Sequence, residues 1–131
     1  MTYTITTTLA RPYDEAVSAV RDALVGQGFG ILTEIDLKAT LKAKIDADIA
    51  PYVILGACRP PLAYDAVQAD PSIGALLPCN VVVRSQDEAT TIVEAVDPEK
   101  MLGMSEQGAA LNDVACDAKE RLQKALAAVS G

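Results

Sequence analysis

A chain of 131 residues is long enough to bury a core without metal or disulfide support and matches the length of about one domain, expected to span residues 1–131. Half of it is apolar with a single phenylalanine and no tryptophan, so that core has to be built from Ala, Val, Leu and Ile. Eighteen acidic against eleven basic side chains give a formal charge of −7, and the basic ones are scattered between Arg11 and Lys124, so nucleic acid is not the expected partner.

Membrane insertion is not expected either. The longest uncharged apolar run, residues 49–58, is interrupted by Pro51 and falls short of the roughly 20 residues a spanning helix requires. No charged, apolar and small-residue series opens the chain, which argues against a secretion signal. Three cysteines without such a signal imply reduced thiols and a cytoplasmic location.

Residues 3–9 set Tyr3, Ile5, Thr7 and Leu9 against alternating threonines, the period-2 pattern of a half-buried strand. From Tyr13 the period becomes helical through Ala16, Val17, Val20, Ala23 and Leu24, and Gly26 and Gly28 supply a permissive backbone to end the helix. Phe29, Ile31, Thr33 and Ile35 then restore alternation. Asp36 is placed to cap a short helix with Leu37, Leu41 and Ile45 along one side. Pro51 closes that excursion.

Residues 52–58 lack polar alternation and predict a largely buried strand, stopped by Pro60-Pro61, which also start a helix running to Asp70. Asp70-Pro71 and Asp97-Pro98 repeat one device, a capping carboxylate followed by proline at the first helical position. Between them, residues 80–84 and 90–96 form an expected hairpin across Ser85-Gln86-Asp87-Glu88. A long terminal helix carries the stripe Leu111, Val114, Ala115, Ala118, Leu122, Ala125, Leu126 and Val129, which needs a sheet face to cover. The order β-α-β-α-β-α-β-β-α predicts an α+β fold: an antiparallel sheet of about five strands with helices packed on one face.

Several segments carry a resemblance. Residues 28–36 (GFGILTEID), 55–58 (LGAC), 60–63 (PPLA), Ile73-Gly74 and 77–83 (LPCNVVV) occur in an order that resembles the bacterial and archaeal family called domain of unknown function 302, over nearly the whole chain. The resemblance implies a TBP-like α+β fold and a homodimer, and no established activity. A fold does not bring a function with it, and the charge balance weighs against DNA.

Two segments concentrate unusual residues. Residues 56–61 and 77–80 each set a cysteine beside prolines at the end of an apolar run, and Cys58, Arg59, Pro60, Cys79 and Asn80 are the candidate ligand-binding residues there. A small molecule or a protein partner is the expected occupant. The alternative is a thiol redox protein or a soft-metal binder using Cys58 and Cys79, since a thiolate acts as nucleophile or soft ligand when a neighbouring cation lowers its pKa, and Arg59 is adjacent. Against that, cysteine more often serves as a small buried hydrophobe. The two cysteines also lie 21 positions apart in a chain with no histidine, unlike the close ligand spacing of structural zinc sites. No cofactor is expected.

Glu34 and Asp36, two apart on a strand, share one face and could converge on a ligand or cation. With Phe29, Ile31 and Ile35 turned inward, both carboxylates are expected to point outward into solvent. Lys42 and Lys44, with Asp36, could frame an anion site at the start of the short helix, or simply line a wet face. Asn80 is expected to bond nearby backbone or a ligand. Cys116 falls off the apolar stripe of the terminal helix and is expected to be exposed or in a subunit contact. No phosphate-binding loop, dinucleotide turn, nucleophile elbow or zinc-protease helix occurs, so catalysis has no recognisable motif.

Overall fold

Alternation in two adjacent strands organises the centre of the molecule. In the computed structural model, which describes residues 2–130, Val81, Val83, Val93 and Ala95 are fully buried while Val82, Arg84, Ile92 and Glu94 between them face the opposite side. The strands are β1 (Thr4–Leu9), β2 (Gly30–Asp36), β3 (Tyr52–Cys58), β4 (Cys79–Asp87) and β5 (Thr90–Val96). They pair antiparallel throughout in the order β1-β5-β4-β3-β2. Antiparallel pairing tolerates one covered face and one open face, and this sheet has both.

The covered face meets α1 (Tyr13–Gly26) and α5 (Gly108–Ser130). Leu111, Ala115, Ala118, Leu122, Ala125, Leu126 and Val129 of α5 are buried, with Val114 half-buried, so the apolar stripe is the surface laid on the sheet. Ala16, Val20 and Leu24 of α1 join the same core. Burying one side chain such as Leu122 contributes roughly 1.5–3 kcal/mol, and small residues at 115, 118 and 125 let the helix approach closely. α3 (Pro60–Ala69) and the short α4 (Pro98–Leu102) pack beside α5 at one end of this layer.

Three aspartates start helices as their positions predict. Asp36 Oδ1 accepts from Ala39 N at 2.9 Å at the head of α2 (Leu37–Ile45). Asp70 Oδ1 accepts from Ser72 N at 3.0 Å and opens a 3-10 helix, Pro71–Leu76. Asp97 Oδ1 accepts from Glu99 N at 2.9 Å at α4. The 3-10 helix and α4 are insertions into an otherwise expected order. α2 buries no residue; it stands at the end of β2 and β3, where Leu37 and Leu41 line a shallow recess with Pro51 and Tyr52. No helix among the described residues is long and apolar enough to cross a membrane.

Two local expectations change. The β4–β5 hairpin turns later than residues 85–88, because β4 continues to Asp87, whose Oδ1 accepts from Ala89 N at 2.9 Å and closes a tighter turn. More consequential is an irregularity in β2. Ile31 pairs with Ala57 but Thr33 pairs with Gly56, so Leu32 is an extra residue. A bulge of this kind inverts the parity of everything after it. Phe29 and Ile31 stay with the core, Ile35 turns to the open face at 45 % exposure, and Glu34 and Asp36 move to the helix side of the sheet edge.

Candidate functional site

The two segments remote in sequence meet. β3 ends and β4 begins at the same rim of the sheet, where Gly56 pairs with Asn80 and Ala57 with Cys79. Pro60 and Pro61, with no N–H to offer a ladder and a φ suited to a helix start, end β3 and turn the chain into α3 across that rim. Pro78, preceded by a cis peptide bond, delivers the chain into β4 from the other side.

Between α3 and the sheet the chain leaves an apolar slot of about 30 Å³. Ala57 and Cys79 form its floor, Leu62 and Ala66 of α3 lie over it, and Met101 and Ala118 close the far side. Such a volume exceeds the roughly 10–15 Å³ that a single water needs and is far below the roughly 150 Å³ of an apolar cavity that takes a benzene, so it has room for about one carbon-sized group. Cys58 and Arg59 stand at its margin.

The thiols in the slot are poorly suited to chemistry. Burial pushes the Cys79 thiol up to about 11, with neighbouring Cys58 pushing in the same direction, and burial raises Cys58 as well. Both sulfurs are free and not bridged. A reactive cysteine needs the opposite shift, toward the thiolate at neutral pH. The guanidinium next in sequence to Cys58 therefore does not activate it. Among the described residues no group of three or more His, Cys, Asp or Glu is arranged to hold a metal ion.

Arg59 behaves differently from its neighbours. Its side chain lies over Gly28, a residue with φ +86°, so close that a Cβ there would be 3.0 Å from Arg59 Nε and 3.8 Å from Arg121 Nη1. Arg121 is engaged: Nε donates to Asp117 Oδ1 at 2.7 Å and Nη1 to the Gln27 carbonyl at 3.0 Å. Arg59 Nε is buried and, among the described residues, has no hydrogen-bond partner. A buried donor left in that state costs about 1–3 kcal/mol, and native structures rarely leave one without a reason.

The remaining predicted residues are dispersed. Pro60 is exposed at the head of α3. Asn80 is exposed on the open face, in a shallow recess with Tyr52, Val82 and Glu94, turned away from the slot. Glu34 and Asp36 do share a face, as their spacing requires, and line a separate recess with Tyr13 and Asp14 beside α1. Arg21 of α1 pairs with Glu34. Burial raises the Tyr13 phenol, and Asp36, Asp14 and Glu34 raise it further. Lys42 pairs with Asp46 at 2.8 Å and Asp48 at 3.3 Å, not with the start of its helix. Cys116 is exposed, 3.8 Å from Glu99 Oε2.

Reading the strand ends alone misses the helical half of the slot. Leu62 and Ala66 sit four residues apart and so share one face of α3, and Ala118 was already in the α5 stripe, but nothing in the chain order says that these faces converge on Cys79. The meeting of Arg59 and Arg121 over Gly28 has no sequence signal beyond the glycine itself.

The comparisons with known proteins agree with this architecture. The family described as "Domain of unknown function DUF302" matches residues 5–129. A crystal structure of an uncharacterized conserved DUF302 protein from Bacillus stearothermophilus is similar at a TM-score of 0.88 and 28% identity, over 98% of this chain and 99% of that one. No curated protein matches the chain. Because the match takes in all five strands, the covering helices and both rims of the slot, the chain belongs to the DUF302 family, whose function is not established.

Proposed function

We propose that this protein is a binding module rather than an enzyme, taking a small ligand or a protein partner where residues 56–61 meet residues 77–80. The observation that carries the reading is the buried, unpartnered Arg59 Nε at the margin of an apolar slot. The slot has no carboxylate in its lining and its two thiols are shifted away from ionisation, so it is equipped to hold a group and not to transform one. Cys58 belongs to its lining and Pro60 starts the helix that covers it; Asn80, Glu34 and Asp36 would act only on a ligand reaching beyond the slot. No cofactor is required.

A ligand screen followed by NMR on the wild-type protein and on Ala63→Leu, which intrudes on the slot from α3, tests this. Hits are expected to move signals of Leu62, Leu77 and Met101 and to be lost in Ala63→Leu. Hits that all leave those signals unmoved would sink the reading.

The same proposal includes a homodimer of a single-domain chain, TBP-like in fold, working in the cytoplasm without nucleic acid or membrane as partner. Free Cys58, Cys79 and Cys116 suit a reducing compartment. The open sheet face supports the dimer: it carries Ile54, Val82, Ile92 and Val96 with Ile35 exposed at its edge, and its central charges cancel through the 2.7 Å Arg84–Glu94 pair. In a chain of net charge −7, a face whose central charges cancel is one that a second copy meets without stacking like charges. Sedimentation should give twice the chain mass, falling to one chain in Ile54→Arg; a wild-type monomer at high micromolar concentration would end this part of the reading.

A further inference from the structure

We propose that the free edge of β1 pairs antiparallel with the same edge of a second copy, joining two five-stranded sheets into one. The contact is distinct from both the slot and the open sheet face and rests on neither. The pattern of open main-chain groups along β1 carries it.

β1 is an outer strand of the sheet and pairs with β5 from Thr4 to Leu9 without a register shift. Asp97 N donates to the Tyr3 carbonyl at 2.8 Å, which fixes the alternation: Tyr3, Ile5, Thr7 and Leu9 turn their N–H and C=O groups to β5, and Thr4, Thr6 and Thr8 turn theirs outward. Thr4 is already closed off. Its N–H donates to Thr2 Oγ1 at 3.2 Å, and that hydroxyl reaches the Thr4 carbonyl at 3.3 Å. The outward groups of Thr6 and Thr8 have no partner among the described residues.

Those two residues form a self-complementary set. With Thr7 on a two-fold axis, Thr6 of each copy lies opposite Thr8 of the other and exchanges N–H···O=C bonds with it, so every open group finds a partner. The same register sets Ile5 opposite Leu9 on the helix side of the seam and threonine opposite threonine on the open side, matching like with like. Ile5 is only half-buried although it faces the helices, so the rim beside it is open to an apolar neighbour.

Charge and the contrast between the two edges decide the occupant. Thr4–Leu9 carries no charged residue in a chain of net charge −7, so two copies meet there without opposing carboxylates. The other edge, β2, is blunted by the Leu32 bulge and by Glu34 and Asp36, devices that discourage pairing. β1 has no bulge, charge or proline. A single strand edge is a small contact of the kind that belongs to weak association, so it forms at higher concentration than a contact through the sheet face.

Sedimentation of the intact protein from high micromolar to millimolar concentration, with amide exchange followed by NMR, tests this. The mass is expected to double over that range, the Thr6 and Thr8 amides to slow as concentration rises, and the Thr7 amide, bonded to β5, to stay unchanged. Thr8→Pro removes an outward donor without taking a bond from the β1–β5 ladder, a placement that edge strands tolerate, and should prevent the doubling. In Ile54→Arg the mass should rise from one chain to two, which separates this contact from the one through the sheet face. Constant mass with Thr6 and Thr8 exchanging rapidly at the highest concentration overturns the inference and leaves the binding and face-to-face readings standing. Doubling that persists undiminished in Thr8→Pro places the contact elsewhere and overturns it too. Slowing of Thr6 and Thr8 by a synthetic peptide of residues 3–9, but not by concentration, assigns the edge to a strand of another protein and overturns the second copy as occupant. The wild-type exchange pattern decides the matter even if Thr8→Pro does not fold.

Discussion

Thr33 lies over Gly56 across the β2–β3 ladder, so close that a Cβ on the glycine would overlap the threonine Oγ1 and stand 2.8 Å from Pro78 Cγ. The absent side chain is what lets the bulged edge strand and the Pro78 ring share one position on the open side of the sheet rim. Gly56→Ala is expected to destabilise the fold by about 1–3 kcal/mol, the usual range for overpacking, in urea unfolding. Adding Thr33→Ala should recover part of the loss and not all of it, since the proline ring remains.

Stability should fall on the alkaline side in a way that Cys79 controls. In the unfolded chain its thiol ionises near 9.0, whereas in the native protein burial holds it up to about 11. Between those values the native state binds more protons than the unfolded one, so the stabilising contribution is complete below pH 9 and is lost as pH rises toward 11. The slope reaches about 1.4 kcal/mol per pH unit at most for one group. Tyr13, also raised, adds to the decline at the upper end, so the diagnostic quantity is the difference between wild type and Cys79→Ala, which should have the shallower profile.

The three thiols should separate by reactivity. Cys116 is exposed, Cys58 is half-buried and shifted up, and Cys79 is only 8 % exposed. At neutral pH one equivalent of an alkylating reagent is expected to react quickly, with the other two following only when denaturant is added. Rapid reaction of Cys79 in the native protein would contradict the burial that shifts it.

Asp97 ties the end of the sheet to α5. It is 7 % exposed, caps α4 through Oδ1 and receives Lys119 Nζ from α5 on Oδ2 at 3.2 Å. Lys119 also reaches Glu99 at 2.8 Å, and these two contacts raise its pKa. Asp97→Ala is expected to cost about 1–2 kcal/mol, in line with loss of a helix cap. Asp97→Asn, which keeps the capping oxygen, should cost less, and thermal unfolding of the two variants side by side measures the difference.

Local patterns carried most of the fold. The Asp-Pro pairs at 70–71 and 97–98, the α5 stripe and the valine alternation of β4 were legible because caps, helical periods and pleats are set by residues a few positions apart. The Leu32 bulge was not. Whether a strand holds one residue too many depends on its partner, and without β3 beside it the alternation of Phe29, Ile31, Thr33 and Ile35 reads as unbroken.

The same division holds for the site. Composition and spacing by themselves fixed an Ala- and Val-rich core, an acidic surface and the two segments where cysteine, proline and glycine gather. Only the folded sheet brought Ala57 against Cys79, sent Asn80 to the opposite face and laid Arg59 over Gly28 beside Arg121. Those outcomes depend on strand register and on helices arriving from distant parts of the chain, and a one-residue change of parity reverses which side chains meet.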